Sequence, residues 1–282
     1  MDVITSRENK WLKMFRAALR GTGPAAGEPI GVEGTKLVED AIRSGLAAQA
    51  LLVSESSERE LERILRAGSE SEAGIPRGRI LRTTDKLFDS LTGTETPQGV
   101  AALFQQPVWG FEDVLRGPHA MRRSTALVIV LAGVQDPGNV GTIVRSAEGF
   151  GATGVVAARG TADPWSPKAL RAAAGAALRL PVLRGIANPV LLAQLKMQQV
   201  KILVARSRHP SDANSTAQWE ESLQGAAAIF IGNEGAGLPG EVEHSADAVI
   251  SIPISEAVES LNAGVAASIV LYEAARQRTQ KA

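Results

Sequence analysis

The stretch that decides the fold is TALVIVLAGVQDPGNVGTIVRSAEGFGA, residues 125–152. Its first ten residues are almost continuously apolar. Such a run predicts a parallel strand covered on both faces, because a half-exposed strand would alternate. Asp136-Pro137-Gly138-Asn139 then reads as a turn that opens a helix. In that helix Val140, Ile143, Val144 and Ala147 mark the buried face. Arg145 falls roughly 140° around from Val140 and so points away from the buried stripe.

The same strand–loop–helix form recurs towards the C-terminus. Strands are expected at 154–158, 180–184, 201–205, 227–232 and 248–253, with helices between them and a last helix in SLNAGVAASIVLYEAARQRTQ, 260–280. Alternation of this kind builds an α/β domain around a mostly parallel sheet. No repeat of 20–50 residues is present. Ligands of open α/β sheets bind outside the carboxyl ends of the strands. Three strands here end in loops rich in Gly, Pro, Asn or Ser: 131–152, 227–242 and 250–274. They predict one shared site.

Each loop residue has a plain structural reading beside a functional one. Asn139 caps a helix by default. Arg145 is a surface arginine paired with Glu148, or a fork for a phosphate or carboxylate. Glu234 is a turn acid, or an acid flanked by glycines where the backbone approaches a ligand closely. Ser260 and Asn262 are strong caps of a helix full of small residues. GAGLPG, 235–240, matches G-x-G-x-x-G weakly as a dinucleotide loop. Pro239 lies inside it, and no acid follows about 20 residues on.

Outward to the N-terminus, residues 107–124 mix Pro, Gly and charge and form an expected linker. Residues 21–106 read as a smaller α/β unit. Its helix in 30–45 turns Leu37, Ala41 and Ile42 inward and stops at Gly45. A strand, a polar amphipathic helix, a strand–helix pair with Leu87 and Leu91 inward, and a closing strand follow. Residues 1–20 form a basic helical arm with Trp11, Phe15 and Leu19 at i, i+4, i+8. Arg7, Lys10, Lys13, Arg16 and Arg20 stand there against Asp2 and Glu8. That face is either merely solvated or a phosphate-contacting surface.

Composition bounds the rest. The chain has 282 residues, 44% apolar and 21% charged, with 30 basic and 30 acidic side chains. This excludes wholesale disorder and a uniformly basic nucleic-acid binder, but not a local basic patch. The absence of cysteine removes disulfides, thiolate catalysis and cysteine-ligated metal. His119, His209 and His244 are scattered, so no metal site is expected. No run of about 18 apolar residues suggests a membrane span. The N-terminus lacks a secretory signal, so a cytoplasmic location is expected.

DPGNVGTIVRSAEGFGA, FIGNEGAGLP and ISIPISEAVESLNAGVAASIVLYEA together resemble the three motifs of the SpoU (TrmH) family. These are SAM-dependent RNA ribose 2′-O-methyltransferases of the SPOUT class. VITSRENKWLKMFRAAL, GVEGTKLVEDAI and LTGTETPQGVAAL resemble the family's opening arm and its small RNA substrate-binding domain. The resemblance covers nearly the whole chain. It implies a trefoil-knotted α/β methyltransferase domain over 125–282, with a smaller ribosomal-protein-like RNA-binding α/β domain before it. It implies catalytic roles for Asn139, Arg145, Glu234, Ser260 and Asn262. Backbone groups of Gly232, Ile252 and Leu261 would hold S-adenosyl-L-methionine (SAM). It implies a homodimer packed partly through the last helix. Ala263-Gly264 depart from the residues usual after the third motif's Asn, which bears on how that helix packs.

RNA contacts are expected from Arg7, Lys10 and Lys13 of the arm. They are also expected from Lys168 and Arg171, within a basic stretch, 159–184, that also holds Arg159, Arg179 and Arg184 against Asp163. Ribosomal RNA is favoured over transfer RNA as substrate. Alternatives are the same reaction on transfer RNA, a non-catalytic RNA-binding protein, and a nucleotide-dependent oxidoreductase using GAGLPG.

Overall fold

The structure is a computed structural model. It describes the chain except for residues 1, 22, 26, 70–78, 119–124, 209–215, 218–220, 256 and 280–282. His119, His209 and the end of the expected linker lie outside the described residues. Two compact units are present. One comprises Met1–Val108 with Trp165–Leu178, the other Trp109–Pro164 with Arg179–Ala282.

The first unit is built on a mixed five-stranded sheet. Its elements are β1 (Asp2–Ile4), α1 (Lys10–Arg20), β2 (Ile30–Glu33), α2 (Thr35–Arg43), β3 (Ala48–Ser54), α3 (Glu58–Ser69), β4 (Ile80–Thr83), α4 (Asp85–Asp89) and β5 (Val100–Phe104), with strand order β1-β4-β3-β5-β2. Alternation along the strands sorts the core into two faces. Ala50, Leu52, Ala101 and Leu103 meet Leu12, Phe15 and Leu19 of α1 and Leu87, Phe88 and Leu91 around α4. Leu51, Val53, Val100 and Ala102 point the other way, where α2 and α3 lie. At Gly31 of β2, an added Cβ would come within 2.7 Å of the Ala18 backbone, so only glycine lets α1 cross there.

Two helical stripes differ from the sequence reading by one residue. The side chain of Asn9 caps α1 through the Trp11 amide at 2.8 Å. Leu12, rather than Trp11, joins Phe15 and Leu19 in the core. Both stripes satisfy a 3.6-residue period. Leucine carries no polar atom, whereas the Trp11 ring stays at the boundary with Lys10 and Arg79 over it at 5.8 and 5.7 Å. In α2, Val38 is buried with Ala41 and Ile42, and Leu37 is only half-buried.

The second unit holds α5 (Phe111–Arg116), β6 (Leu127–Ala132), α6 (Pro137–Gly149), β7 (Gly154–Ala158), β8 (Val182–Ile186), α8 (Asn188–Met197), β9 (Lys201–Arg208), β10 (Thr216–Ala217), β11 (Ala227–Gly232), α9 (Gly240–His244), β12 (Ala248–Pro253) and α10 (Ala263–Thr279). Between β7 and β8 the chain forms α7 (Pro167–Ala173), which packs on α1 and β2 and groups with the first unit. The seven strands are parallel, in the order β10-β12-β9-β11-β6-β7-β8. β6 and β11 run in register from Leu127↔Ala227 to Ala132↔Gly232, and β6 is wholly buried. Val128, Val130 and Phe230 pack with Val114 of α5, Leu191 and Leu195 of α8, and Val242 of α9. Residues 107–124 therefore include a packed helix: Val114 is fully buried, and a Cβ at Gly154 would meet it at 2.8 Å.

The opposite face carries α6 and α10, which pack on each other. Gly264 is buried where a Cβ would sit 3.1 Å from Thr142 Cγ2, and Ser146 and Ser268 share a hydrogen bond of 2.7 Å. Ala263 is buried as well. Small residues at these two positions thus serve a close helix–helix seam. At the other end of α10, Arg278 donates to the carbonyls of Leu223, Thr125, Ala126 and Gly225. These anchor the helix to the starts of β6 and β11.

Strand order fixes where a ligand can sit. From β6 the chain moves outward through β7 to β8, then crosses to build β9, β11 and β12 on β6's other side. The order reverses between β6 and β11, and the crevice of an open α/β sheet lies at the carboxyl ends flanking such a reversal.

Candidate active site

The loops after β6, β11 and β12 meet there through side chains about 95 and 123 residues apart in sequence. Asp136 caps α6 through the amide of Asn139 at 3.2 Å. Nδ2 of Asn139 donates to Oε1 of Glu234 at 2.9 Å. Oδ1 of Asn139 accepts from Nδ2 of Asn262 at 2.9 Å. Oδ1 of Asn262 in turn accepts from the amides of Gly264 and Val265 and so caps α10. The plain capping role of Asn262 and its link to the other loops coexist in one side chain. Asn139 is not the cap of its helix; Asp136 takes that place, which leaves the Asn139 side-chain carboxamide for the chain of bonds.

Glu234 closes the other end. Its Oε2 accepts from the Gln135 amide at 3.2 Å. Burial by itself would raise its pKa. Hydrogen bonds from Asn139 and from the backbone at Glu234, Gln135 and Asp136 outweigh this and hold the carboxyl below its ordinary value. The glutamate is therefore a fixed anion. Asn233 ties the loops together, donating to the Gly133 carbonyl at 2.8 Å and accepting from the amides of Gly235 and Ala236.

A cavity of about 340 Å³ opens beside this cluster. That size is within the range of small-molecule sites. Gly232, Ile252, Leu261, Glu234 and Ser260 all line it, so five of the residues singled out in the sequence share one cavity. Its floor is apolar, with Ala205, Ile231, Ile254, Leu238, Ala263 and Ala266. Gly232 is sterically obligatory, because a Cβ there would lie 2.7 Å from the backbone of Gly237. A largely apolar lining at the strand ends fits an adenosine-like group, and Glu234 supplies an anion beside it.

Arg145 stands apart from this cluster. It is exposed on α6, and its guanidinium makes no hydrogen bond or ion pair among the described residues. The alternative pairing with Glu148 does not form, since Glu148 takes a forked pair with Arg179 at 2.6 and 2.7 Å. Arg184 pairs with Asp163. The 159–184 stretch thus offers less free positive charge than its sequence suggests. Lys168 and Arg171 are exposed on α7, Arg7 and Lys10 are exposed before and on α1, and Lys13 pairs with Glu8 at 2.6 Å.

Sequence reasoning missed Arg206 and Glu243, which also line the cavity, and Asn233 and Gln135, which brace the loops. Asn233 and Arg206 were findable, as polar residues at the carboxyl ends of apolar strands. No group of three or more His, Asp or Glu side chains is placed to bind a metal among the described residues.

Residues 126–272 match the model of the SpoU rRNA methylase family, and residues 29–102 match that of the MRM3-like substrate binding domain. The chain is 32% identical over 242 residues, 86% of each protein, to the 23S rRNA (guanosine(2553)-2′-O)-methyltransferase RlmP of Bacillus subtilis. Its structure is similar to that of an rRNA methyltransferase from Sinorhizobium meliloti, with 27% identity, TM-score 0.79, and 98% and 97% of the two chains covered. It is also similar to the SpoU methyltransferase AviRb from Streptomyces viridochromogenes bound to AdoMet, with 26% identity, TM-score 0.79, and 96% and 99% covered. Fold and site together are those of a SAM-dependent RNA methyltransferase of the SPOUT class. The chain belongs to the SpoU rRNA methylase family.

Proposed function

We propose that this enzyme methylates ribose 2′-hydroxyls of ribosomal RNA, using SAM bound in the 340 Å³ cavity. The observation that carries this is the hydrogen-bonded line Glu234–Asn139–Asn262 along the cavity's edge. The RlmP and Sinorhizobium relatives are both named for ribosomal RNA, which favours that substrate. Backbone groups of Gly232, Ile252 and Leu261 would hold the cofactor. When bound, SAM supplies an electrophilic methyl group on a sulfonium.

The protein's residues divide the remaining work. Arg145 remains a cation, since a guanidinium does not deprotonate in proteins. Exposed and without a partner among the described residues, it clamps the phosphate next to the target ribose, orients the 2′-hydroxyl and stabilises the developing alkoxide. The hydroxyl proton leaves to a phosphate oxygen or to water. Asn139 and Asn262 fix the ribose. Ser260 and Glu234 hold the loops and the substrate. Alignment then supplies much of the rate.

RNA is gripped by Arg7, Lys10 and Lys13 and by Lys168 and Arg171, and the enzyme works in the cytoplasm. No described helix is long and apolar enough to cross a membrane. Two copies pair through α10, covering exposed Val265 and Tyr272 and the apolar groove between Thr142, Ile269 and Tyr272. The trefoil threading of the family accounts for how α10, following the outlying β12, returns to α6 beside β11.

The test is transfer of labelled methyl from SAM to unmodified ribosomal RNA and, separately, transfer RNA, followed by nuclease digestion and nucleoside mass analysis. A 2′-O-methylnucleoside in the ribosomal pool is the expected result. Label only in transfer RNA overturns the substrate assignment. Bound SAM with no transfer to either RNA overturns the activity on free RNA.

A further inference from the structure

The cavity lining contains one ion pair among the described residues. Arg206 lies at the carboxyl end of β9, in register with Ser251 of β12. Its Nη2 lies 2.5 Å from Oε1 of Glu243 on α9, an ion pair. The guanidinium makes no other ion pair and no hydrogen bond to the described residues. Both side chains are partly exposed, 48% and 35%, so the pair itself adds little stability.

Its place is informative. β11 lies between β9 and β6, so Gly232 separates two polar walls. On the β6 side is Glu234 with the Asn139–Asn262 line, where the reacting groups meet. On the β9 side is Arg206, with free N–H groups in a planar fork. A fork of that shape matches a carboxylate bidentately. Among the cofactor's groups (adenine, ribose diol, sulfonium, ammonium and carboxylate) only the last is an anion.

We infer that Arg206, held in place by Glu243, binds the α-carboxylate at the amino-acid end of the cofactor. This rests on reading the cavity as the SAM site. Arg206 is the ligand-touching residue. Glu243 is a positioning residue that fixes one edge of the guanidinium and leaves the rest for the ligand.

Calorimetric titration of the full chain with three ligands tests this. SAM and S-adenosylhomocysteine both carry the carboxylate; 5′-methylthioadenosine keeps the adenosine and sulfur but lacks the amino-acid end. In Arg206→Ala, Kd for the first two should rise about 10- to 100-fold, as expected for a lost charged hydrogen bond. The Kd for 5′-methylthioadenosine should not change, which also reports an intact cavity. Glu243→Gln should weaken S-adenosylhomocysteine less than Arg206→Ala does, and should add nothing in the Arg206→Ala background.

Equal weakening of all three ligands, or none, overturns the assignment. So does loss of RNA binding with SAM binding intact, which would make Arg206 a phosphate contact. Further weakening by Glu243→Gln in the double variant overturns the positioning role. A wild-type chain that binds none of the three ligands removes the cavity reading itself, a different failure from an unaffected Arg206→Ala.

Discussion

Arg145 and Glu234 carry charge in opposite ways: one is exposed on α6, the other is tied into the cluster beside the cavity. Arg145 has no partner among the described residues, and the proposed clamp gives it one on the substrate. Lysine keeps the charge but loses the planar fork. Arg145→Lys should lower kcat by about 10²-fold, the usual cost of one misplaced donor at a developing oxyanion, with SAM affinity unchanged. Turnover at the wild-type rate would refute the clamp. Glu234 is already committed to protein donors, and its pKa is lowered. A carboxylate held below its ordinary value of 4.5 stabilises the fold above that value, and the contribution is lost as pH falls through the lower folded-state value. The Tm difference between the wild type and Glu234→Gln should therefore be flat from about pH 8 to about pH 5 and shrink below it. A difference that grows on acidification would contradict the lowered pKa.

At the scale of elements, the seam between α6 and α10 couples stability to the site, because Asn262 caps the helix that Gly264 lets approach Thr142. Gly264→Val should overpack it at a cost of about 1–3 kcal/mol. Calorimetry should show Tm down by roughly 3–10 °C. Residual activity below that Tm should fall too, as Asn262 withdraws from Asn139. The elements were mostly legible beforehand. LVIVLA and AAIFIG are strands by hydrophobicity alone, since they are buried on both faces. Trp11 against Leu12, and Leu37 against Val38, were not separable, because either choice keeps the helical period and only packing decides. Helix α5 was hidden in a stretch whose prolines and glycines bracket only six helical residues. Within the site, spacing predicted a shared crevice, whereas the bond from Asn139 to Glu234 depends on a strand order no local pattern encodes. The pairing of Arg179 with Glu148 and of Arg184 with Asp163 is not legible in the sequence, because the partners are neighbours only in the fold.

For the whole molecule, charge neutrality means that RNA must be held by a few placed cations. Binding should weaken with salt, and each phosphate contact removed should flatten the slope of log K against log[salt] by about 0.7–0.9. Arg7→Ala, Lys10→Ala and Arg171→Ala should each do so, and Lys13→Ala less, because Glu8 already neutralises it. Filter binding at several salt concentrations reads this directly, and an unmoved slope removes that residue from the footprint. The sheet's centre also has a temporal side. Leu127 pairs with Ala227, so the strand at the heart of the domain waits for a neighbour made 100 residues later. At roughly 5–20 residues per second, synthesis leaves one edge of β6 open for about 5–20 s after it emerges. During that interval the nascent chain carries an unpaired, wholly apolar strand edge, and it is then, rather than after completion, that the protein has most need of a chaperone's protection.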